Sequence, residues 1–372
     1  MKTLDAGMLT TLVVLLGCPS EATNEPGSDA GALSSRDDDD DGDDDDDDDD
    51  DDDGDDEELL AWPQPYQDFI AEVGGSKFVD VGGAAMHYVE TGSDDGPTVL
   101  LVHGIPTHAY LWRDVIPQLD DYRVIAVDLI GYGRSDRPAG LPYTPGMQVD
   151  FLQSFVEDKG LDDVHLVVHD LGGPVGLRWA FENSDRVASI TMFETLWTTL
   201  PGIEVIPAPF GELLAGLRTP GVGEQLVGEQ NVFLSMLGAF TVEGVAPEDA
   251  AVYQHPWPDA ADRIEVILPS GPHAFPFPED PEAFAFVDEY QQFLSSSPIP
   301  KLVIDVEPGT LSAVEIPGPG GGADLRVSEF AEQVFPNTTR VQLSGGGHFV
   351  QEDRPVQLGQ VIDAFLDDLD ED

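Results

Sequence analysis

Leu166-Val167-Val168-His169-Asp170-Leu171-Gly172-Gly173, residues 166–173, runs from three apolar residues into a polar pair and then into small residues. An apolar run of this length is a buried strand, and the paired glycines allow a sharp, close turn into the helical stretch Gly172 to Glu182. A strand ending in such a turn lifts the side chain at its tip, Asp170, above the sheet. This is a nucleophile elbow with aspartate where serine is more usual. Taken alone, the same residues also describe an ordinary strand-to-helix turn capped by an acid.

Outward from that stretch the strand pattern repeats. Phe78 to Val81 and Ala85 to Thr91 flank Gly82-Gly83 as a hairpin, followed by apolar strands at Thr98 to Val102, Arg123 to Val127, Val164 to Val168 and Val187 to Met192. Lys301 to Val306 and Thr339 to Leu343 complete eight. Helical spacing falls around Tyr110 to Leu119, over Gly172 to Glu182, and from Pro355 to about Leu369. Apolar strands alternating with helices predict an α/β fold whose mostly parallel, eight-stranded sheet is covered on both faces.

The alternation stops between Leu200 and Ser297. Proline-rich aromatic strings such as Pro256-Trp257-Pro258 and Phe275-Pro276-Phe277-Pro278 take over, which predicts a lid with helices at Phe210 to Leu217, Glu229 to Leu237 and Pro281 to Phe293. Glu315 to Asp324, with Pro317-Gly318-Pro319-Gly320-Gly321-Gly322, reads as a flexible surface insertion. The expected organisation is core over 61–199, lid over 200–297 and core again over 298–372.

Three further segments carry chemistry. His103-Gly104-Ile105-Pro106 follows the strand at Thr98, so the Ile105 N–H can point at a developing oxyanion beside that of Leu171. His348, after Gly345-Gly346-Gly347 and before the last helix, sits on a loop able to reach the top of the sheet and serve as base near neutral pH. Glu194 ends the strand after the elbow helix, where it can accept the His348 ring N–H and fix its tautomer. On so acidic a chain, Glu194 also fits a solvated surface position.

The chain has 372 residues, with 73 acids against 16 Lys and Arg, a formal charge of −57. Residues 37–58 hold 18 Asp and two Glu; without those 20 acids, 53 remain against 16 bases, a net of −37. A basic surface for nucleic acid or anionic membrane is thereby excluded. A 41% hydrophobic content supplies a real core. The acidic run predicts a solvated, extended spacer, with no loop pattern for calcium or any other metal.

Lys2 precedes a mostly apolar run, Met8 to Leu16, too short to span a bilayer and shaped like an export signal. It ends at Leu15-Leu16-Gly17-Cys18, which resembles a bacterial lipobox. Residues 1–17 then read as signal and 18–60 as spacer. Cys18, the only cysteine, would become the lipid anchor of an exported protein held on a membrane of the cell envelope.

In order along the chain, HGIPTHAYLWRDVIPQL (103–119), DLIGYGRSDRP (128–138), HDLGG (169–173) and GGHFVQEDRP (346–355) resemble the α/β-hydrolase superfamily, within it the haloalkane dehalogenase and coelenterazine luciferase group. The likeness covers roughly residues 66 to 370. It implies Asp170 as nucleophile, His348 as base, Glu194 as the orienting acid, and oxyanion amides from Ile105 and Leu171. It implies no cofactor and no metal, and the apolar setting suits a small uncharged organic substrate. Members usually carry Asn or Glu in place of Ile105 and Trp in place of Leu171, side chains that hold the departing halide. Ile and Leu have no donor, so Trp197, Tyr253 and Trp257 of the lid region are the candidate substitutes. An epoxide hydrolase-like enzyme, using Tyr253 and Tyr290 to protonate the ring oxygen, a luciferase-like oxygenase, and a surface lipoprotein turned binding module remain alternative readings.

Overall fold

The computed structural model describes residues 58–93 and 96–370; the signal, Cys18 and nearly all of the acidic spacer lie outside them. Pro63–Asp372 forms one compact unit in which core and lid pack together. Its sheet has eight strands, in the order β1 (Lys77–Asp80), β2 (Ala85–Thr91), β4 (Arg123–Val127), β3 (Thr98–Val102), β5 (Val164–Asp170), β6 (Val187–Thr195), β7 (Lys301–Pro308) and β10 (Thr338–Gly346). β1 with β2 and β2 with β4 are antiparallel; every other pairing is parallel.

The centre of the sheet is dry. Every residue of β3 is buried, as is β5 from Val164 to His169, which is why these strands are continuous apolar runs and not alternating ones. After β3 the chain winds outward to β4, and with β5 it returns to the other side of β3. The crevice at the carboxyl ends of β3 and β5 is therefore a topological switch point, the usual place for a ligand in an open α/β sheet. Helices α1 (Gln64–Glu72), α2 (Pro145–Asp158) and α3 (Gly172–Glu182) come from the first half of the unit. α3 packs on β5, β6 and α2.

The lid supplies α4 (Phe210–Leu217), α5 (Pro247–Gln254), α6 (Ala260–Ser270) and α7 (Pro281–Leu294), and the core ends with α8 (Val327–Val334) and α9 (Pro355–Asp370). The expected helix at Glu229 to Leu237 is broken. A π-turn at Gln225–Glu229 stops before Asn231, whose φ of +48° takes the chain out of the helix, and only Val232–Ser235 resumes it.

Two other expectations are corrected. Residues 110–119 form no continuous helix but two 3-10 turns, Ala109–Trp112 and Ile116–Gln118. Pro117 cannot donate to an earlier carbonyl, and the Asp128 carboxylate takes the Ala109 N–H at 2.6 Å. The glycine-rich insertion is a β-hairpin, β8 (Glu315–Gly318) with β9 (Gly322–Arg326). Ile316 pairs with Leu325 and is buried, while Gly320 and Gly321 supply the left-handed turn.

Candidate active site

Asp170 closes β5 with φ at +49°, a conformation few residues other than glycine adopt. The surroundings enforce it. A Cβ at Gly104 would lie 2.2 Å from the Asp170 Cβ, and one at Gly173 would lie 1.7 Å from the Thr195 Oγ1. That hydroxyl donates to the Asp170 carbonyl at 2.5 Å. The carboxylate is thus pushed out over the end of the sheet, where it keeps 23% exposure toward a cavity.

One carboxylate oxygen, Oδ1, accepts the Ile105 N–H at 2.7 Å. The other, Oδ2, is 3.2 Å from the His348 Nε2. On the far side of the ring, Nδ1 lies 3.0 Å from the Glu194 Oε2. Glu194 also has a left-handed φ, +44°, and is fully buried. Far from being a solvated acid, it accepts the backbone N–H groups of Thr310 and Leu311 on Oε2 at 2.9 Å each and that of Ser312 on Oε1 at 3.0 Å.

These contacts fix the charges. Burial is the largest single influence and raises the Asp170 and Glu194 carboxyls, but the hydrogen bond and charge of His348, joined by the Ile105 N–H at Asp170 and by Ser312 at Glu194, together outweigh it and hold both below the usual range. Burial likewise pushes the His348 ring down, yet its bonds to Asp170 and Glu194 win and hold it at about 9. At neutral pH the free site is an imidazolium between two carboxylates. His169 stays neutral at about 4, chiefly through burial and secondly through the neighbouring His348 charge, and its Nε2–H donates to the His348 carbonyl at 2.9 Å.

The structure therefore brings together Asp170, Glu194, His348, Ile105 and Leu171. It places the three lid candidates elsewhere. Trp197 borders a separate small void and sends its Nε1–H toward the Val327 carbonyl at 3.4 Å. Trp257 donates to the Pro106 carbonyl at 3.3 Å, and the Tyr253 hydroxyl donates to Glu352 at 2.5 Å. Tyr290 donates to the Leu196 carbonyl at 2.8 Å, so the paired tyrosines of an epoxide-opening site are also engaged away from the cavity. The direction of an indole or phenol is set by lid packing, which no motif encodes.

The cavity itself is small and mostly apolar, about 60 Å³, walled by Ile105, Leu171, Leu214, Phe233, Phe240 and Phe275, with Asp170 and His348 at its base. Phe233 lies in the segment expected as a helix over Glu229 to Leu237, and Phe240 in a stretch for which the sequence predicts no element. Ser270 and Thr310 add hydroxyls to the wall. The arrangement can offer a carboxylate as nucleophile, an imidazole ring oriented by Glu194, and a backbone donor in a space that excludes bulk water.

Residues 97–216 match the family described as alpha/beta hydrolase fold. A haloalkane dehalogenase of Agrobacterium fabrum is 35% identical over 298 residues, covering 78% of this chain and 92% of that protein. One from Sphingobium indicum is 34% identical over 300 residues, 79% of this chain and 95% of its own. Among solved structures, haloalkane dehalogenase DatA from Agrobacterium tumefaciens superposes with a TM-score of 0.72 at 32% identity, over 80% of this chain and 99% of that one. DbeA from Bradyrhizobium elkani gives 0.73 at 26% identity, over 80% and 99%.

Proposed function

The chain belongs to the haloalkane-dehalogenase-like family of α/β-hydrolases, and we propose that it hydrolyses small uncharged haloalkanes through an ester on Asp170. Oδ2 of Asp170 attacks the halogen-bearing carbon; a C–O bond forms as the carbon–halogen bond breaks and the halide leaves with the electron pair. An aspartate is already ionised at neutral pH, so this step needs no base.

The ester removes the Asp170 charge. One of the two anions that keep His348 protonated is then gone, the ring falls below its resting value of about 9, and Nε2 gives up its proton to solvent and becomes free to take one from the attacking water. The water attacks the carbonyl carbon of the ester, the Ile105 and Leu171 amides receive the oxyanion, and Glu194 stabilises the imidazolium. Collapse passes the His348 proton to the departing oxygen and releases the alcohol, and the remaining carboxyl proton returns to His348, restoring the resting pair with Asp170.

A single observation carries the reading: the His348 ring bridges Asp170 and Glu194 at 3.2 and 3.0 Å on the wall of an apolar cavity. The test is mass spectrometry of His348→Phe exposed to bromoalkanes and to epoxides, paired with halide release by the unmodified protein. A persistent alkyl adduct on Asp170 together with released halide supports it. Adducts from epoxides alone favour the epoxide reading, and none from either panel favours a binding module.

Cys18 and the acidic run extend the proposal to location: an exported protein, anchored through a lipid on Cys18, with its catalytic unit held off a membrane by the spacer. Cys18→Ser should move the protein from the membrane to the soluble fraction. Retention on the membrane would end that part of the reading.

A further inference from the structure

A halide expelled from carbon needs a hydrogen-bond donor, and the cavity offers few. The Ile105 N–H is taken by Asp170 at 2.7 Å, and the His348 ring lies between two carboxylates. The Ile105 and Leu171 side chains have nothing to donate. Thr310 stands where its own N–H holds Glu194 at 2.9 Å, so an anion received there would face a second carboxylate.

Ser270 remains. It ends α6, lines the cavity and is fully buried. Its hydroxyl is 2.7 Å from the Tyr143 carbonyl and 2.6 Å from that of Val266, so one proton faces two acceptors and can serve only one. The next residue, Gly271, sits against Ile105; a Cβ on it would lie 2.6 Å from the Ile105 Cδ1. Ser270 thus belongs to the same wall from which Ile105 holds Asp170.

Tyr132 stands with Ser270. Its ring is edge-on to His103 and to Trp257, at centroid distances of 5.3 and 5.4 Å. The hydroxyl is fully buried and lies within hydrogen-bonding reach of the Ser270 hydroxyl. Burial pushes the phenol above its usual range, the hydrogen bond with Ser270 pulls it back, and the Asp170 charge pushes it up again.

We propose that Ser270, backed by the Tyr132 hydroxyl, is the donor that receives the halide displaced by Asp170. The inference rests on the ester reading above. As the carbon–halogen bond breaks, the Ser270 O–H turns from a carbonyl to the anion, and no proton is transferred. Tyr132 is a positioning residue: by donating to the Ser270 oxygen it makes the serine proton a stronger donor.

The test compares chloro-, bromo- and iodoalkanes of one chain length. Chloride concentrates its charge most and depends most on a donor; iodide depends least. Ser270→Ala should lower kcat/KM for the chloride by about ten- to a hundredfold and for the iodide by no more than about threefold. Tyr132→Phe removes only the phenol that backs the Ser270 oxygen and should shift the chloride-to-iodide ratio the same way by a smaller factor. Ester hydrolysis, followed by rapid quench, should keep its rate in both. Equal slowing of all three halides in Ser270→Ala, or an unchanged ratio in Tyr132→Phe, overturns the assignment. If the unmodified protein releases no halide and His348→Phe forms no adduct, the ester reading itself has failed and the donor role falls with it.

Discussion

At the residue scale, the placement of one ring between two carboxylates sets the response to pH. The folded His348 is held at about 9 against roughly 6.5 in an unfolded chain, so its stabilising contribution is complete below about 6.5 and is lost as pH rises through 9. Asp170 and Glu194, both held low, contribute above the ordinary carboxylate range and lose it as pH falls through their lowered values. The melting temperature of the unmodified protein should therefore lead that of His348→Phe most near pH 6, with the lead shrinking by pH 10; a constant difference would contradict the charge assignment. Glu194→Gln tests the other end of the ring. The first step keeps its nucleophile, so a burst of halide should survive, while ester hydrolysis slows by about a hundred- to ten-thousandfold and alkyl-enzyme accumulates. A loss of the burst itself would show that Glu194 acts on Asp170 instead. Asp170, Glu194 and His348 were legible from sequence because each stands at a strand end marked by glycines or by position after the elbow. Trp197, Tyr253 and Trp257 were not, because composition says an aromatic is near a lid and nothing about where its polar edge points. Ser270 and Tyr132 carry no motif of their own beyond the strings around them.

Elements place these residues, and one acid joins two of them. Asp353, in the turn after His348, accepts the Gly347 N–H at 2.7 Å, the Val242 N–H at 2.9 Å and the Glu243 N–H at 2.8 Å. It ties the His348 loop to the lid segment that carries Phe240, so the position of the base depends on the lid. Asp353→Ala would leave three amides to find new partners, at a cost of about 2–4 kcal/mol, and should slow ester hydrolysis more than halide release. Stopped-flow and denaturant titration of that variant check both halves, and equal slowing of the two steps would mean the clamp serves stability alone. The strands of the sheet were readable because buried parallel strands are apolar along their whole length. Residues 110–119 misled because their apolar spacing is helical, while Pro117 and the pull of Asp128 on Ala109 act through one missing donor and one distant acceptor. The 315–326 hairpin was missed for the opposite reason: its turn is all glycine and proline, and only the pairing of Ile316 with Leu325 across it makes an element.

Across the whole molecule, charge is the dominant quantity. Several of its few cations are spent on internal pairs: Arg113 on Glu352, Arg123 on Glu90, Arg326 and Arg340 on Asp305. Other cationic side chains hold backbone carbonyls, as Arg263 does for Trp257 and Gly228 and Lys301 for Ser297, Ile299 and Pro336. With 73 acids against 16 bases, most carboxylates are left without a cation, and a negative field must surround the mouth of a cavity whose own nucleophile is anionic. That field favours neutral substrates and repels charged ones, and it is screened over about 10 Å at 0.1 M salt. A bromoalkane and an ω-bromocarboxylate of equal length differ in that repulsion and in the desolvation of the carboxylate, and of the two the repulsion is what salt screens. Raising salt from about 10 mM to about 300 mM should increase kcat/KM for the carboxylate by about three- to tenfold and leave the neutral compound nearly unchanged. Deleting residues 37–58 separates the sources of the field, since it lowers the formal charge from −57 to −37 while leaving the catalytic unit intact. If the salt effect persists undiminished in that shortened chain, the acids of the catalytic unit set substrate charge preference and the aspartate run serves only as spacer; if it vanishes, the run reaches the cavity mouth electrostatically and the spacer reading is wrong.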